Sequence, residues 1–369
     1  MWGKSPAMIV HTRSPFNAEP RGSALARNEV TPVDIFYCRN HGPVPEIPVH
    51  AWRLEVDGLV TSPLSLSLPA LQSRFDIHTV IATLQCAGNR RSGFNEIRAI
   101  VDEDLWGSGA ISTAEWSGVR LADVLAVAGA GRDDDVHVAF TGPDVSPLAV
   151  PAQQFGGSIP LAKAMSGEVL LAWEMNGQAL PRIHGGPVRV VVPGYIGARS
   201  VKWVNAVTVQ KGPSQNYFQS VAYRVLPADS DLHTAGPLAG RSLSSVALNC
   251  DILVPADGTE VAAGPLEIRG YALAGEGAGV ARVEVSLDQG NSWRQAELAA
   301  ARSPWAWRHW SLTVEPEPGP LTVTARAWDT TGATQPESAE VLWNPRGYAN
   351  NSWARVHVAV THPGTAALK

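Results

Sequence analysis

The stretch Thr83-Leu84-Gln85-Cys86-Ala87-Gly88-Asn89-Arg90-Arg91 sets one thiol at the end of an apolar, strand-like run, just before a turn bearing two arginines. Positive charge beside a thiol favours its thiolate form. A thiolate so placed can serve as a nucleophile, a soft-metal ligand or a redox centre. The alternative is a small buried cysteine before an ordinary turn, as most free cysteines are. Four further stretches gather polar groups where turns follow strands. Tyr37-Cys38-Arg39-Asn40-His41 offers the planar donors of Arg39, which suit oxyanions, with Asn40 and His41 beside them. His184-Gly185-Gly186-Pro187-Val188-Arg189 and Gly197 to Lys202 each join glycines, which let backbone approach a ligand closely, to cations. Tyr217-Phe218 and Tyr223-Arg224 put a phenol and an arginine just ahead of a composition change, where an interdomain cleft could hold a small oxyanion. Taken singly, each reads more readily as a turn with a solvated charge. Together they supply what a large anionic ligand needs.

Several other chemistries find no support. Neither glycine-bearing stretch fits a P-loop or a dinucleotide fingerprint. A structural zinc site needs about four clustered Cys or His ligands, and Cys38, Cys86 and Cys250 are scattered. A cysteine-protease reading requires a histidine oriented at Cys86, which spacing alone does not supply.

The elements that must position these residues alternate between short strands and short helices. Ile35 to Cys38, Trp52 to Val60, Thr79 to Leu84, Ala110 to Trp116, Val136 to Phe140, Val169 to Trp173 and Val188 to Val192 read as strands. Pro69 to Arg74 and Arg120 to Ala128 read as helices, the second stopped by Gly129. Residues 1–14 read as an N-terminal arm broken by proline. Beyond an Ala-, Asp-, Ser- and Gly-rich stretch around 227–243, helical patterns vanish. Val283, Val285 and Leu287, then Leu321, Val323, Ala325 and Ala327, then Val356, Val358 and Val360 alternate with more polar neighbours. That pattern predicts an immunoglobulin-like β-sandwich over 244–362. Ser286 to Trp293 reads as a hairpin turn with Trp293 in the sandwich core.

Composition sets the outer bounds. The chain has 369 residues, a net charge of −5, 45% hydrophobic and 17% charged residues, with Gly 34 and Pro 28. This describes a β-rich globular protein with no basic field for nucleic acid or anionic membrane. No apolar run reaches the roughly 18 residues that a spanning helix requires. The first 21 residues lack the apolar core of a secretory signal, and the cysteines pair in no readable framework, so a cytoplasmic location is expected.

In order along the chain, these stretches resemble the sulfite oxidase family of molybdenum enzymes, which includes eukaryotic nitrate reductase. The resemblance runs from Pro15-Phe16-Asn17-Ala18-Glu19-Pro20 to Val360. It rests on Arg39-Asn40-His41 before Pro43-Val44-Pro45, Thr83 through Arg91, Gly109 through Ala114, Trp173 through Gly177, His184 through Lys202, Trp305 through Arg308 and Trp353 through Val358. It implies an α+β, β-rich molybdopterin-binding catalytic domain over 15–235, followed by a dimerising immunoglobulin-like module. It also implies oxidation of sulfite to sulfate on molybdenum-molybdopterin, with electrons passed to an external acceptor, since no haem, flavin or iron–sulfur motif is visible. Cys86 matches the metal ligand. Tyr37, Cys38, Arg39, Asn40, His41, Asp144, His184, Arg189, Ser200, Val201 and Lys202 match the segments that hold the pterin and its phosphate. Arg39, Arg91, Trp106, Tyr223 and Arg355 match the substrate pocket. The alternatives are a related reductase of nitrate or another oxo-anion, and a non-catalytic binding protein in which Cys86 is structural. Two departures stand out. Asp102 replaces a lysine of the animal enzymes four residues before Trp106, and the Asp102-Glu103-Asp104 run is expected on a solvated loop. Gly186 replaces an aromatic residue, which predicts looser packing beside the pterin.

Overall fold

In the strand Ile77–Gln85, side chains are half-exposed at the start and buried over the last four residues. Burial rising toward one end carries the chain inward, so Cys86 enters the interior as the strand stops. A computed structural model describes residues 1–131 and 135–362 of the chain. Ile77–Gln85 pairs antiparallel with Ile111–Arg120, which pairs with Leu170–Met175; Gln178–Ala179 and Arg189–Val191 both join that last strand. A second sheet runs in the order Leu64–Leu66, Leu54–Gly58, Ala206–Lys211, Val136–Ser146 and Gln153–Pro160. Both predicted helices form. Ser67 caps Leu68–Arg74 by accepting from the Ala70 N–H, and Leu121–Ala128 ends on left-handed Gly129 at φ +69°.

Two expectations change in the N-terminal part. Ile35 to Cys38 is a turn, because the Pro32 carbonyl accepts from both the Ile35 and Phe36 N–H groups; only Cys38 makes a strand-like bridge, to Ala18. The N-terminal arm is folded back on itself. Ile9–Arg13 pairs with Phe16–Glu19, whose four side chains are all buried, and Pro15, just past the arm, sits in the turn between them.

The C-terminal sandwich stacks the sheet Asn249–Val254, Leu266–Leu273, Arg308–Val314, Glu297–Leu298 on the sheet Thr259–Ala262, Ala354–Thr361, Gly319–Asp329, Val280–Ser286, Arg294–Gln295. Val283, Val285, Val323, Ala325, Ala327 and Val356 fill its interior as their alternation requires. Trp293 does not. It is half-buried on the outer face, edge-on to Trp353 at 5.0 Å with the Arg326 guanidinium 3.8 Å from its ring centre. A tryptophan on the pleat face pointing away from the core can bury its area only against such neighbours.

The two domains share apolar packing, for Leu253, Tyr271, Trp307 and Tyr348 belong to the same buried cluster as Leu54, Leu121 and Val190. The sandwich also grips the cysteine turn directly. Thr83 N–H donates to the Trp305 carbonyl (3.0 Å), Trp307 N–H to Thr83 Oγ1 (2.8 Å), and Asn89 Nδ2 to Tyr271 Oη (2.9 Å). Arg90, left-handed at φ 63°, donates to the Ser352 carbonyl (2.8 Å) and pairs with Asp251 (3.4 Å). Of the two arginines after the thiol, Arg90 therefore serves the domain junction.

Candidate active site

Twelve of the sixteen residues expected at the site line one cavity: Tyr37, Cys38, Arg39, Asn40, His41, Cys86, Asp144, His184, Arg189, Ser200, Lys202 and Tyr223. Cys86 is held by its own backbone, which donates to the Ala110 carbonyl at 2.9 Å, and its Sγ accepts from the Gly88 N–H at 3.4 Å. Burial pushes the thiol pKa up, and Arg91, Arg39 and the Gly88 N–H only partly offset it. The cations the sequence places beside the thiol are present, yet the dry site outweighs them and keeps the proton on until something positive replaces it. Gly197 is required at its position because a Cβ there would lie 2.7 Å from Tyr37 Oη.

On one side of the cavity, Arg189 donates to the carbonyls of His184 (2.9 Å) and Ser200 (2.9 Å), and its guanidinium lies 5.0 Å from the Trp116 ring centre. Lys202 Nζ donates to the Arg39 carbonyl (3.1 Å), the Ile183 carbonyl (3.3 Å) and Asn40 Oδ1. Burial lowers Arg189 to about 10 and Lys202 to about 7, and raises Asp144 to about 7. Asp144 Oδ1 is buried with no hydrogen-bond partner. An orphaned acceptor costs stability and marks a place for an absent donor. Lys4, which the sequence reading missed, reaches in from the arm: its Nζ donates to the Phe36 carbonyl (2.8 Å) and lies 2.6 Å from His184 Nε2. Burial, helped by the Lys4, Lys202 and Arg189 charges, holds His184 neutral, so its ring accepts that donation.

On the other side, Tyr223 Oη and His41 Nε2 share a hydrogen bond at 2.6 Å. Burial first, then Arg39 and Lys202, depress the His41 pKa, while burial raises that of Tyr223, so both are neutral. Tyr223 stacks on Tyr348 at 5.4 Å, and the Arg91 guanidinium lies 5.3 Å from the Tyr348 ring centre. Burial opposes the Arg39 charge, but Tyr223, Glu103, Cys86 and Asp104 together raise its pKa.

Arg91 does not itself line the cavity wall; it is buried against Tyr348 and donates to the carbonyls of Asp104 (2.8 Å) and Arg346 (3.0 Å). Trp106 is fully buried in the cluster that contains Cys86, its indole N–H without a partner. Val201 is a core residue whose carbonyl accepts from Val190 N–H. Arg355 lies elsewhere. It is exposed on the outer face of Ala354–Thr361, where it donates to the Glu337 carbonyl (2.9 Å) and pairs with its carboxylate (3.6 Å). Arg224 also stays out of the cavity, bound to the carbonyls of Leu238, Ala239 and Gly240.

The acidic run divides. Asp102 is exposed at φ 58°, as a solvated loop would have it, but Glu103 and Asp104 turn inward. Glu103 pairs with Arg91 (3.3 Å) and Arg346 (4.0 Å), and Asp104 reaches Arg39 at 3.9 Å. Arg346 is thus a third site arginine the sequence reading missed. Its signal is the familiar cation-plus-glycine turn, Arg346-Gly347, with Gly347 at φ +62° and no room for a Cβ beside Arg91. At Gly186 a Cβ would come within 2.2 Å of the Leu180 carbonyl oxygen, so backbone fills the space where looser packing was expected.

Residues 41–218 match the oxidoreductase molybdopterin binding domain, and residues 241–361 match the Mo-co oxidoreductase dimerisation domain. The chain is 44% identical over 367 residues to the mitochondrial sulfite oxidase of Rattus norvegicus, covering 97% of this chain and 66% of that protein. It is 36% identical over 383 residues to the sulfite oxidase of Arabidopsis thaliana, covering 97% of this chain and 95% of that one. The chain thus spans just under two thirds of the length of the rat protein and nearly all of the plant one. Among solved structures it superposes on the sulfane dehydrogenase SoxCD from Paracoccus pantotrophus with a TM-score of 0.80 at 28% identity, over 96% of this chain and 85% of that one.

Proposed function

The chain belongs to the sulfite oxidase family of molybdopterin enzymes, and from that premise we propose that it oxidises sulfite to sulfate and passes the electrons to an external acceptor. The dimerisation-domain match supports a homodimer. The observation that carries the reading is a thiol, Cys86, in one cavity with Arg39, Arg189 and Lys202.

The residues fit the implied cofactor. Among the described residues no group of three or more His, Cys, Asp or Glu converges on an ion site, so a metal at Cys86 must bring most of its ligands with it. A pterin dithiolene does so, and a thiolate suits such a soft centre. When bound, the cofactor supplies the two-electron oxygen transfer: sulfite and water become sulfate, two protons and two electrons. Cys86 would ligate the metal. Asp144 Oδ1 would accept from a pterin N–H, and Arg189 and Lys202 would take the phosphate. Arg39 would hold the substrate oxygens through charge-assisted hydrogen bonds, Arg91 would add positive charge beside it and reach them only by leaving its present partners, and Tyr223, steadied by His41, would keep its proton on the phenol oxygen and donate it toward them.

The test is protein purified from a host that makes molybdopterin. It should carry stoichiometric molybdenum and reduce ferricyanide with sulfite, and Cys86→Ser should lose both metal and turnover. Nitrate consumption with reduced dye and no sulfite turnover would favour the reductase; wild-type protein that never carries molybdenum would favour a binding role.

A further inference from the structure

We propose that Glu103 is a built-in competitor for the oxyanion this cavity takes, its carboxylate occupying Arg91 and Arg346 and so setting how tightly a multiply charged anion binds. The inference rests on the oxyanion chemistry proposed above and names a specificity-determining residue for it.

Glu103 and Asp104 face the same arginines but are held differently. Asp104 accepts from Thr12 Oγ1 (2.7 Å) and Asn17 Nδ2 (2.9 Å), so neutral donors of the N-terminal hairpin fix both of its oxygens. Glu103 pairs only with the two guanidinium groups among the described residues, at 3.3 and 4.0 Å. Arg91, the nearer of the two, lies 5.3 Å from the Tyr348 ring, which stacks on the cavity-lining Tyr223 at 5.4 Å, so the pair borders the cavity one ring behind its wall. The Glu103 side chain is 15% exposed, so the carboxylate keeps an edge on water. Arg346 Nε is buried without a partner, a donor left over for an incoming oxygen.

A carboxylate between two guanidinium groups is the local equivalent of a bound anion. A second anion must share those donors with it or displace it, and the repulsion scales with the incoming charge. A dianion such as sulfate is therefore penalised more than a monoanion such as nitrate. One charge at about 4 Å in a protein-like dielectric is enough to change affinity by more than about tenfold.

The experiment titrates sulfate and nitrate, by calorimetry, into cofactor-loaded wild type, Glu103→Gln, Glu103→Asp and Glu55→Gln, an equal charge change on an exposed strand residue. Glu103→Gln should bind sulfate about tenfold or more tightly, with a smaller gain for nitrate. Glu103→Asp should fall between it and wild type, and Glu55→Gln should match wild type. Sulfate affinity that is unchanged or weaker in a folded Glu103→Gln overturns the proposal; if that variant does not fold, an unchanged Glu103→Asp does so instead. Tighter sulfate binding without sulfite turnover leaves this inference standing and removes the sulfite reading. Sulfite turnover with unaltered sulfate affinity does the reverse.

Discussion

Around Arg189 and Lys202 the cations of the cavity rest on carbonyl and amide oxygens, whereas Arg39, Arg91 and Arg346 face the carboxylates of Glu103 and Asp104. Neutral acceptors satisfy hydrogen bonds without cancelling charge, so no paired carboxylate blocks the first group's donors, although burial sets the charge of Lys202 and of the nearby Asp144 at about 7. Carboxylates cancel charge, and the second group presents a field that can be released when an acid moves. The first arrangement suits a resident anion that never leaves, and the second suits an anion that must come and go. A burial cost supports the same split: Lys202 is driven down to about 7 and Arg189 to about 10, while surrounding acids raise Arg39.

The largest effect expected from this contrast is at Arg39. Removing its charge in Arg39→Gln should lower kcat/KM for sulfite by roughly 10²- to 10³-fold, the usual cost of losing one charged donor at a reacting oxyanion. Molybdenum content should stay near wild type, because Arg189 and Lys202 are untouched. A loss of metal equal to the loss of activity would erase the distinction between the two groups.

A second effect sharpens it through pH. Burial raises Asp144 and lowers Lys202, so both sit at about 7. As pH rises through that value, Lys202 loses positive charge and Asp144 gains negative charge, and both changes oppose an anion. Sulfate, whose own charge is constant there, should bind cofactor-free protein about tenfold more weakly at pH 8 than at pH 6. Lys202→Met should bind it weakly at both pH values and flatten the slope. A slope that survives intact in Lys202→Met would assign the titration to Asp144 rather than Lys202.

Much of this was legible because the signals are local. Cys86, Arg39, Arg189 and Lys202 each sit in or beside a turn whose glycines and cations are close in sequence, and for Cys86 convergence needs only that the strand before it be buried at one end. Glu103 and Lys4 were not legible. An acid in a run of acids and a lysine in a proline-rich arm look solvated until the hairpin Ile9–Arg13 and Phe16–Glu19 folds across the loop at 104–109. Glu19, for example, accepts from the N–H groups of Gly107 and Gly109 at 2.8 Å each. The shared core of the two domains was equally hidden. Period-two alternation in the sandwich reports which face is apolar, not that Tyr271 and Trp307 also cover the catalytic domain.

Arg355 gives the smallest effect and the cleanest check on that reasoning. In Ala354–Thr361 the buried residues are Ala354, Val356, Val358 and Val360, and the pleat turns Arg355 outward with His357 and Ala359. The same alternation that predicts the strand therefore assigns Arg355 to the face away from the core, against its match to a pocket residue. Its partners are the exposed Glu337 and the ring of Trp353, 5.6 Å away, contacts that contribute little in water. Arg355→Gln should leave kcat/KM within about twofold and stability within about 0.5 kcal/mol of wild type. A tenfold fall in sulfite turnover, with the melting temperature unchanged, would mean that the outer sandwich face reaches a site, and the arginine side would then extend beyond Arg39, Arg91 and Arg346.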